Sequence, residues 1–128
     1  MILIFGGVYQ GQLEYALERF GLSDNDIYRC SDDNTGEPAG KRIIYELDKW
    51  ILAQVRAGID SEQAVTRLIA GNNDAIVICN DISCGVVPVE EDMRRWREAA
   101  GRAISEIART SDEVIRLFCG IPTVLKRM

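Results

Sequence analysis

Ile2-Leu3-Ile4-Phe5-Gly6-Gly7-Val8-Tyr9-Gln10-Gly11-Gln12-Leu13 is the stretch whose reading decides the fold. Its first four residues are wholly apolar, the pattern of a short strand buried on both faces of a parallel sheet. Gly6 and Gly11 stand at the spacing of a phosphate-binding loop, Gly-x-x-x-x-Gly-Lys-Ser/Thr. In that loop backbone N–H groups cradle phosphates, the lysine brings positive charge to the terminal ones, and the hydroxyl helps to hold Mg²⁺. Here the lysine position holds Gln12 and the hydroxyl position holds Leu13. Glutamine offers a neutral hydrogen bond and leucine ligates nothing. The glycines suit an ordinary strand-to-helix turn equally well, so the loop alone leaves both readings open.

Outward from this stretch, Gln12–Phe20 reads as a helix with Leu13, Ala16, Leu17 and Phe20 on one face and Gly21 as its stop. Residues 26–30 suggest a second strand, and residues 31–40, with Gly36, Pro38 and Gly40, a loop. Ile43–Tyr45 reads as a third strand before a helix over 47–57, or as part of one helix starting at Lys41. Trp50, Ile51 and Val55 would be its buried face, and Gly58 its end. Asp60 or Ser61 caps the next helix, with Gln63 placed for a capping box. That helix buries Ala64, Val65, Leu68 and Ile69 and closes at Gly71. Residues 75–79 form another apolar strand, followed by a loop over 80–89. The longest helix spans 90–109, with a core stripe of Met93, Trp96, Ala100, Ala103, Ile104 and Ile107. A strand over 113–119, a turn at Gly120-Ile121-Pro122 and a last strand over 123–126 complete the chain. Strands alternating with helices predict an α/β fold with a mainly parallel sheet, whose ligands bind beyond the carboxyl ends of the strands. The loops at 6–12 and 80–89 would both open there.

At 128 residues the chain is long enough for one domain with its own core, spanning 1–128. No run approaches the roughly 18 apolar residues of a membrane span, and the start carries no basic leader. The net charge of −5 argues against nonspecific nucleic-acid binding and leaves an anionic nucleotide dependent on local donors. Cys30, Cys79, Cys84 and Cys119 form no Cys-x-x-Cys pair. They are expected as free thiols in a cytoplasmic protein, three of them in or beside apolar runs. The sequence contains no histidine, which removes the commonest general base and phosphoramidate nucleophile.

Other clusters read more plainly. Asn80 and Asp81 follow a buried strand, where they could meet a phosphate, Mg²⁺ or a substrate hydroxyl, or make local turn bonds. Asp32-Asp33-Asn34 suggests a calcium loop, but the sixth and twelfth positions hold Glu37 and Ile43, so that reading is rejected. Glu90-Glu91-Asp92 is a helix-start cluster, and Arg94-Arg95-Arg97 a solvated face. No metal site is assigned.

Together these pieces resemble the bifunctional adenosylcobinamide kinase / adenosylcobinamide-phosphate guanylyltransferases. That family has Asn-Glu-Val-Gly-x-Gly-Ile-Val-Pro after a strand, and this chain has Asn80-Asp81-Ile82-Ser83-Cys84-Gly85-Val86-Val87-Pro88. Its Ala-Gly-Arg is found as Ala100-Gly101-Arg102. Its closing Asp-Glu-Val, Gly-Ile/Leu-Pro and lysine are found as Asp112-Glu113-Val114, Gly120-Ile121-Pro122 and Lys126. The family's opening Gly-Gly-x-x-Ser-Gly-Lys-Ser matches residues 6–13, and its third-strand aspartate and following tryptophan fall on Tyr45, with Glu46 beside it, and Trp50. The resemblance implies a P-loop-NTPase-like (RecA-like) domain with a shortened middle, and GTP or ATP with Mg²⁺ as cofactor. It also implies a corrinoid precursor as substrate and self-association. It places nucleotide binding on Gly6, Gly7, Gly11 and Gln12, and substrate binding on Asn80, Asp81, Gly85, Pro88 and Arg102, with Asp81 the candidate catalytic residue. Family enzymes phosphorylate a hydroxyl of the corrinoid side chain, then transfer GMP through a guanylylated histidine. This chain lacks that histidine and the loop lysine and serine, and its strand-end aspartate is displaced or missing. Losing several charges at once costs phosphoryl transfer orders of magnitude in rate. A degenerate family member, a kinase without the guanylyl step, and a non-enzymatic interaction protein are the three readings that follow.

Overall fold

Residues 1–82 and 90–128 are described here in a computed structural model. The chain runs β1 (Ile2–Gly6), α1 (Gln12–Phe20), a short 3-10 turn at Asp24–Asp26, β2 (Ile27–Arg29), β3 (Ile43–Tyr45) and α2 (Leu47–Arg56). It continues through α3 (Ser61–Gly71), β4 (Ile76–Asn80), α4 (Glu91–Thr110), β5 (Glu113–Phe118) and β6 (Ile121–Arg127). One six-stranded sheet results, in the order β2-β3-β4-β1-β5-β6. Every pair is parallel except β5–β6, a hairpin.

The apolar strands take the central places, because only there are both faces covered. In β1 and β4, Leu3, Ile4, Ile76, Val77, Ile78 and Cys79 are buried. Leu3, Ile44, Val77 and Val114 face the core shared with α2, α3 and α4. Ile4, Ile43, Ile78, Ile115 and Leu117 face the smaller core under α1, where Ala16 lies against the sheet. Each fully buried leucine or isoleucine contributes roughly 1.5–3 kcal/mol.

Of the two readings of residues 41–46, the strand holds. Ile43 and Ile44 pair with both β2 and β4, and Glu46, at φ 58°, makes the sharp turn into α2. α1 has the bounds that its apolar spacing predicts, and Gly21 in the left-handed region closes it, donating to Leu17 O. Asp60 caps α3 by accepting from the N–H groups of Glu62 and Gln63. α3 ends at Gly71, as expected, and Asn72 caps it, its Nδ2 donating to Leu68 O at 2.9 Å. Two expectations are corrected. The last turn is at Cys119–Gly120 and not at Gly120-Ile121-Pro122. Phe118 pairs with Ile121, and positive φ at both Cys119 (52°) and Gly120 (76°) gives the tight two-residue turn that matches strand twist. β6 therefore begins at Ile121 and runs to Arg127. Cys119, expected beside an apolar run as a small hydrophobe, is exposed at the tip of that hairpin.

Candidate functional site

The sheet order reverses at β1, which has β4 on one side and β5 on the other. The carboxyl end of β1 is therefore where an open α/β sheet offers a crevice. Gly6 pairs with Asn80, so the glycine loop and the segment after β4 leave the sheet side by side. The Asp81 N–H donates to Gly6 O at 2.7 Å and joins them.

Within the loop each glycine has a separate physical reason. A Cβ on Gly6 would lie 2.4 Å from Leu117 O, so only glycine lets β1 pass β5 at this point. Gly11 is the residue before α1, at φ 89°, a conformation that favours glycine. Gly7 is exposed, and a Cβ there would meet only the Gln10 side chain, at 3.7 Å. Tyr9, at φ 63°, stands fully out in solvent at the loop's tip. Gln10 ties the loop to the β5–β6 hairpin: its backbone O accepts from Gly120 N–H and its Oε1 from Cys119 N–H.

Gln12, at the lysine position, is buried, and its Nε2 donates to Gly7 O at 2.8 Å. Its only charge-neutral donor group thus turns back across the loop.

Beside the loop lies a cleft of about 540 Å³. Tyr45 and Glu46 enter it from the end of β3, Asp48 and Lys49 from the first turn of α2, Asn80 from β4 and Trp96 from α4. Among the described residues its lining carries four carboxylates, Glu14, Asp32, Glu46 and Asp48, against one lysine. Lys49 is 2.9 Å from Glu46, and that pairing raises its pKa. Asp32 pairs with Arg56 outside the lining, at 3.4 Å. A polyphosphate here would meet a negative wall.

Asp48 is the group that sequence reasoning missed. It is 3% exposed. Its Oδ1 accepts from Asn80 N–H at 3.1 Å, and its backbone O accepts from Trp96 Nε1 at 2.7 Å. Burial pushes its pKa up, against the opposing pull of the Asn80 bonds. An acid two residues into a helix reads in sequence as a partner for the helix dipole. Trp50, matched to the family tryptophan, is buried and donates to Gly36 O at 3.0 Å, pinning the 31–40 loop onto α2.

The structure brings Gly6, Gly7, Gly11, Gln12, Asn80 and Asp81 to one end of the sheet. Gly85 and Pro88, like Cys84, lie outside the described residues. Arg102 is placed elsewhere: on the outer side of α4, 3.0 Å from Glu62 of α3, lining a separate groove of about 930 Å³ between those helices. Cys30 and Cys79 are buried, and burial pushes the Cys30 thiol up to about 12 and Cys79 well above its ordinary range, so neither is a ready nucleophile.

The residues present do not fit Mg²⁺ in the way the phosphate-loop pattern requires. Leu13 has no oxygen, Tyr45 stands where the resemblance puts an aspartate, and no three metal-ligating side chains converge among the described residues. No chemical step is therefore routed through that ion. Nor does any helix among the described residues have the length and apolarity to cross a membrane.

The sheet order, the glycine loop at the end of the central strand and the helices on both faces define a P-loop-like α/β domain. The model of the cobinamide kinase / cobinamide phosphate guanyltransferase family matches residues 39–125, more than half of the chain, and the chain belongs to that family. The match begins after the glycine loop, so membership rests on the segment from β3 into β6. No curated protein matches the chain.

Proposed function

We propose that the chain is a weakened member of its family. It keeps the frame for a nucleotide and a corrinoid precursor, binds them weakly, and has little or no phosphoryl or guanylyl transfer activity. One observation carries this reading: the side chain at the lysine position is a neutral glutamine whose Nε2 already donates to Gly7 O. A phosphate-loop lysine supplies charge-assisted bonds to the terminal phosphates, roughly twice as strong as neutral ones. The carboxylates of the cleft add to the deficit. Nucleotide contact would fall to Gly6, Gly7, Gly11 and Gln12, and substrate contact to Asn80, Asp81, Gly85 and Pro88. Without a histidine in the sequence, no guanylyl-histidine intermediate forms on this chain.

The test is calorimetric titration with GTP and ATP, each with and without Mg²⁺, followed by an assay on adenosylcobinamide. Dissociation constants of about 0.1–1 mM, not tightened by Mg²⁺, are expected. Turnover of adenosylcobinamide to its phosphate at about 1 s⁻¹ or more, an ordinary kinase rate, would overturn the reading. A kinase that lost only the guanylyl step is the second reading, favoured by the buried carboxylate of Asp48 in the cleft. It requires Mg²⁺-dependent turnover that Asp81→Ala abolishes.

A further inference from the structure

β3 ends at Tyr45, and its ladder with β4 reaches no further than Ile44 opposite Val77. β4 continues to Asn80. Along a strand, N–H groups alternate sides, so every second one points the same way. Ile76 N–H points toward β3, where it donates to Arg42 O at 2.8 Å. Asn80, four residues on, points its N–H to the same side, past the end of β3. The acceptor it finds is the Asp48 carboxylate, at 3.1 Å. Asp48 thus supplies the oxygen that a longer β3 would have offered. Its backbone O holds Trp96 Nε1, which brings α4 to the same point. On the other side of β4, Asn80 faces Gly6, and the next N–H, of Asp81, donates to Gly6 O. Three walls of the cleft are therefore joined at one residue, two hydrogen-bonded steps from the glycine loop. Burying a carboxylate is unfavourable unless its oxygens are bonded, and an apolar residue here could accept nothing from Asn80.

We propose that Asp48 is the positioning residue of the cleft: it sets where Asn80 and Asp81 lie at the end of β4 relative to the glycine loop, and so the geometry with which the cleft meets a ligand. The ligand part rests on the function proposed above, whereas the anchoring is read without any ligand.

Amide hydrogen exchange on the wild type, Asp48→Ala and Asp48→Asn tests it. Alanine removes the acceptor, so the Asn80 and Asp81 amides should exchange at least about tenfold faster while the amides of α3 keep their protection. Asparagine keeps Oδ1 and should hold both rates within about twofold. GTP affinity should follow the same order, about tenfold weaker for Asp48→Ala and nearly unchanged for Asp48→Asn. Unchanged Asn80 exchange in Asp48→Ala, equal loss in both variants, or one GTP affinity shared by all three proteins would overturn the assignment. Failure of the wild type to bind GTP strikes instead at the proposed function, and the exchange rates then decide the role of Asp48 separately.

Discussion

Gly6 shows how one missing methyl group lets two strands approach. A Cβ there would press to 2.4 Å from a backbone oxygen, Leu117 O, which cannot move without shifting β5. Gly6→Ala should therefore cost about 2–3 kcal/mol or more, a fall in melting temperature of roughly 10 °C, read by thermal denaturation. Gly7→Ala meets nothing closer than the flexible Gln10 side chain at 3.7 Å and should melt within about 3 °C of the wild type. In the sequence the spacing of Gly6 and Gly11 suggests a phosphate cradle. The sequence does not show that Gly6 is demanded by the neighbouring strand whatever the loop binds. Asp48 was hidden for a related reason. Its burial comes from Asn80 and Trp96, 32 and 48 residues away in the chain. No local pattern announces a carboxylate used as an extension of a strand.

At the scale of elements, the boundaries that local chemistry controls were legible. α1 follows from its apolar spacing and Gly21, and the start of α3 from Asp60. Residues 43–45 were ambiguous because three apolar letters suit helix and strand alike; pairing with β2 and β4 decides them. The hairpin was misplaced because Pro122 looks like a turn residue, whereas the turn is set by positive φ at Cys119 and Gly120. Proline is tolerated where it stands because β6 is an edge strand. A tight turn of this kind favours Asn-Gly. Cys119 is exposed and loses no packing on replacement, so Cys119→Asn should stabilise the protein by about 0.5 kcal/mol, measured by urea denaturation. Destabilisation of that size would mean that the Cys119 N–H bond to Gln10 depends on the cysteine side chain.

Across the whole molecule, Glu113 joins elements far apart in sequence. It is buried at the start of β5, 2.8 Å from Arg19 of α1 and 3.1 Å from Arg127 of β6. The hydrogen bond from Arg19, helped by Arg127 and opposed by burial, holds its pKa below the ordinary glutamate range. Because the folded value is depressed, Glu113 stabilises the fold above the unfolded pKa of about 4.3, and this is lost as pH falls through the folded value. Glu113→Gln should accordingly lower the melting temperature at pH 7 and close most of that gap at pH 3. A gap that stays constant with pH would contradict the ion-pair account. The α/β class and the parallel sheet were readable from alternating elements; this clasp was not, because its three residues lie in three separate elements. The strand order also bears on how the chain is made. β1 leaves the ribosome before both of its neighbours, β4 and β5, which are completed only at Asn80 and Phe118. Its two apolar edges therefore gain native neighbours one at a time, the first once β4 is made and the second only with β5, and until then each edge is open to non-native pairing.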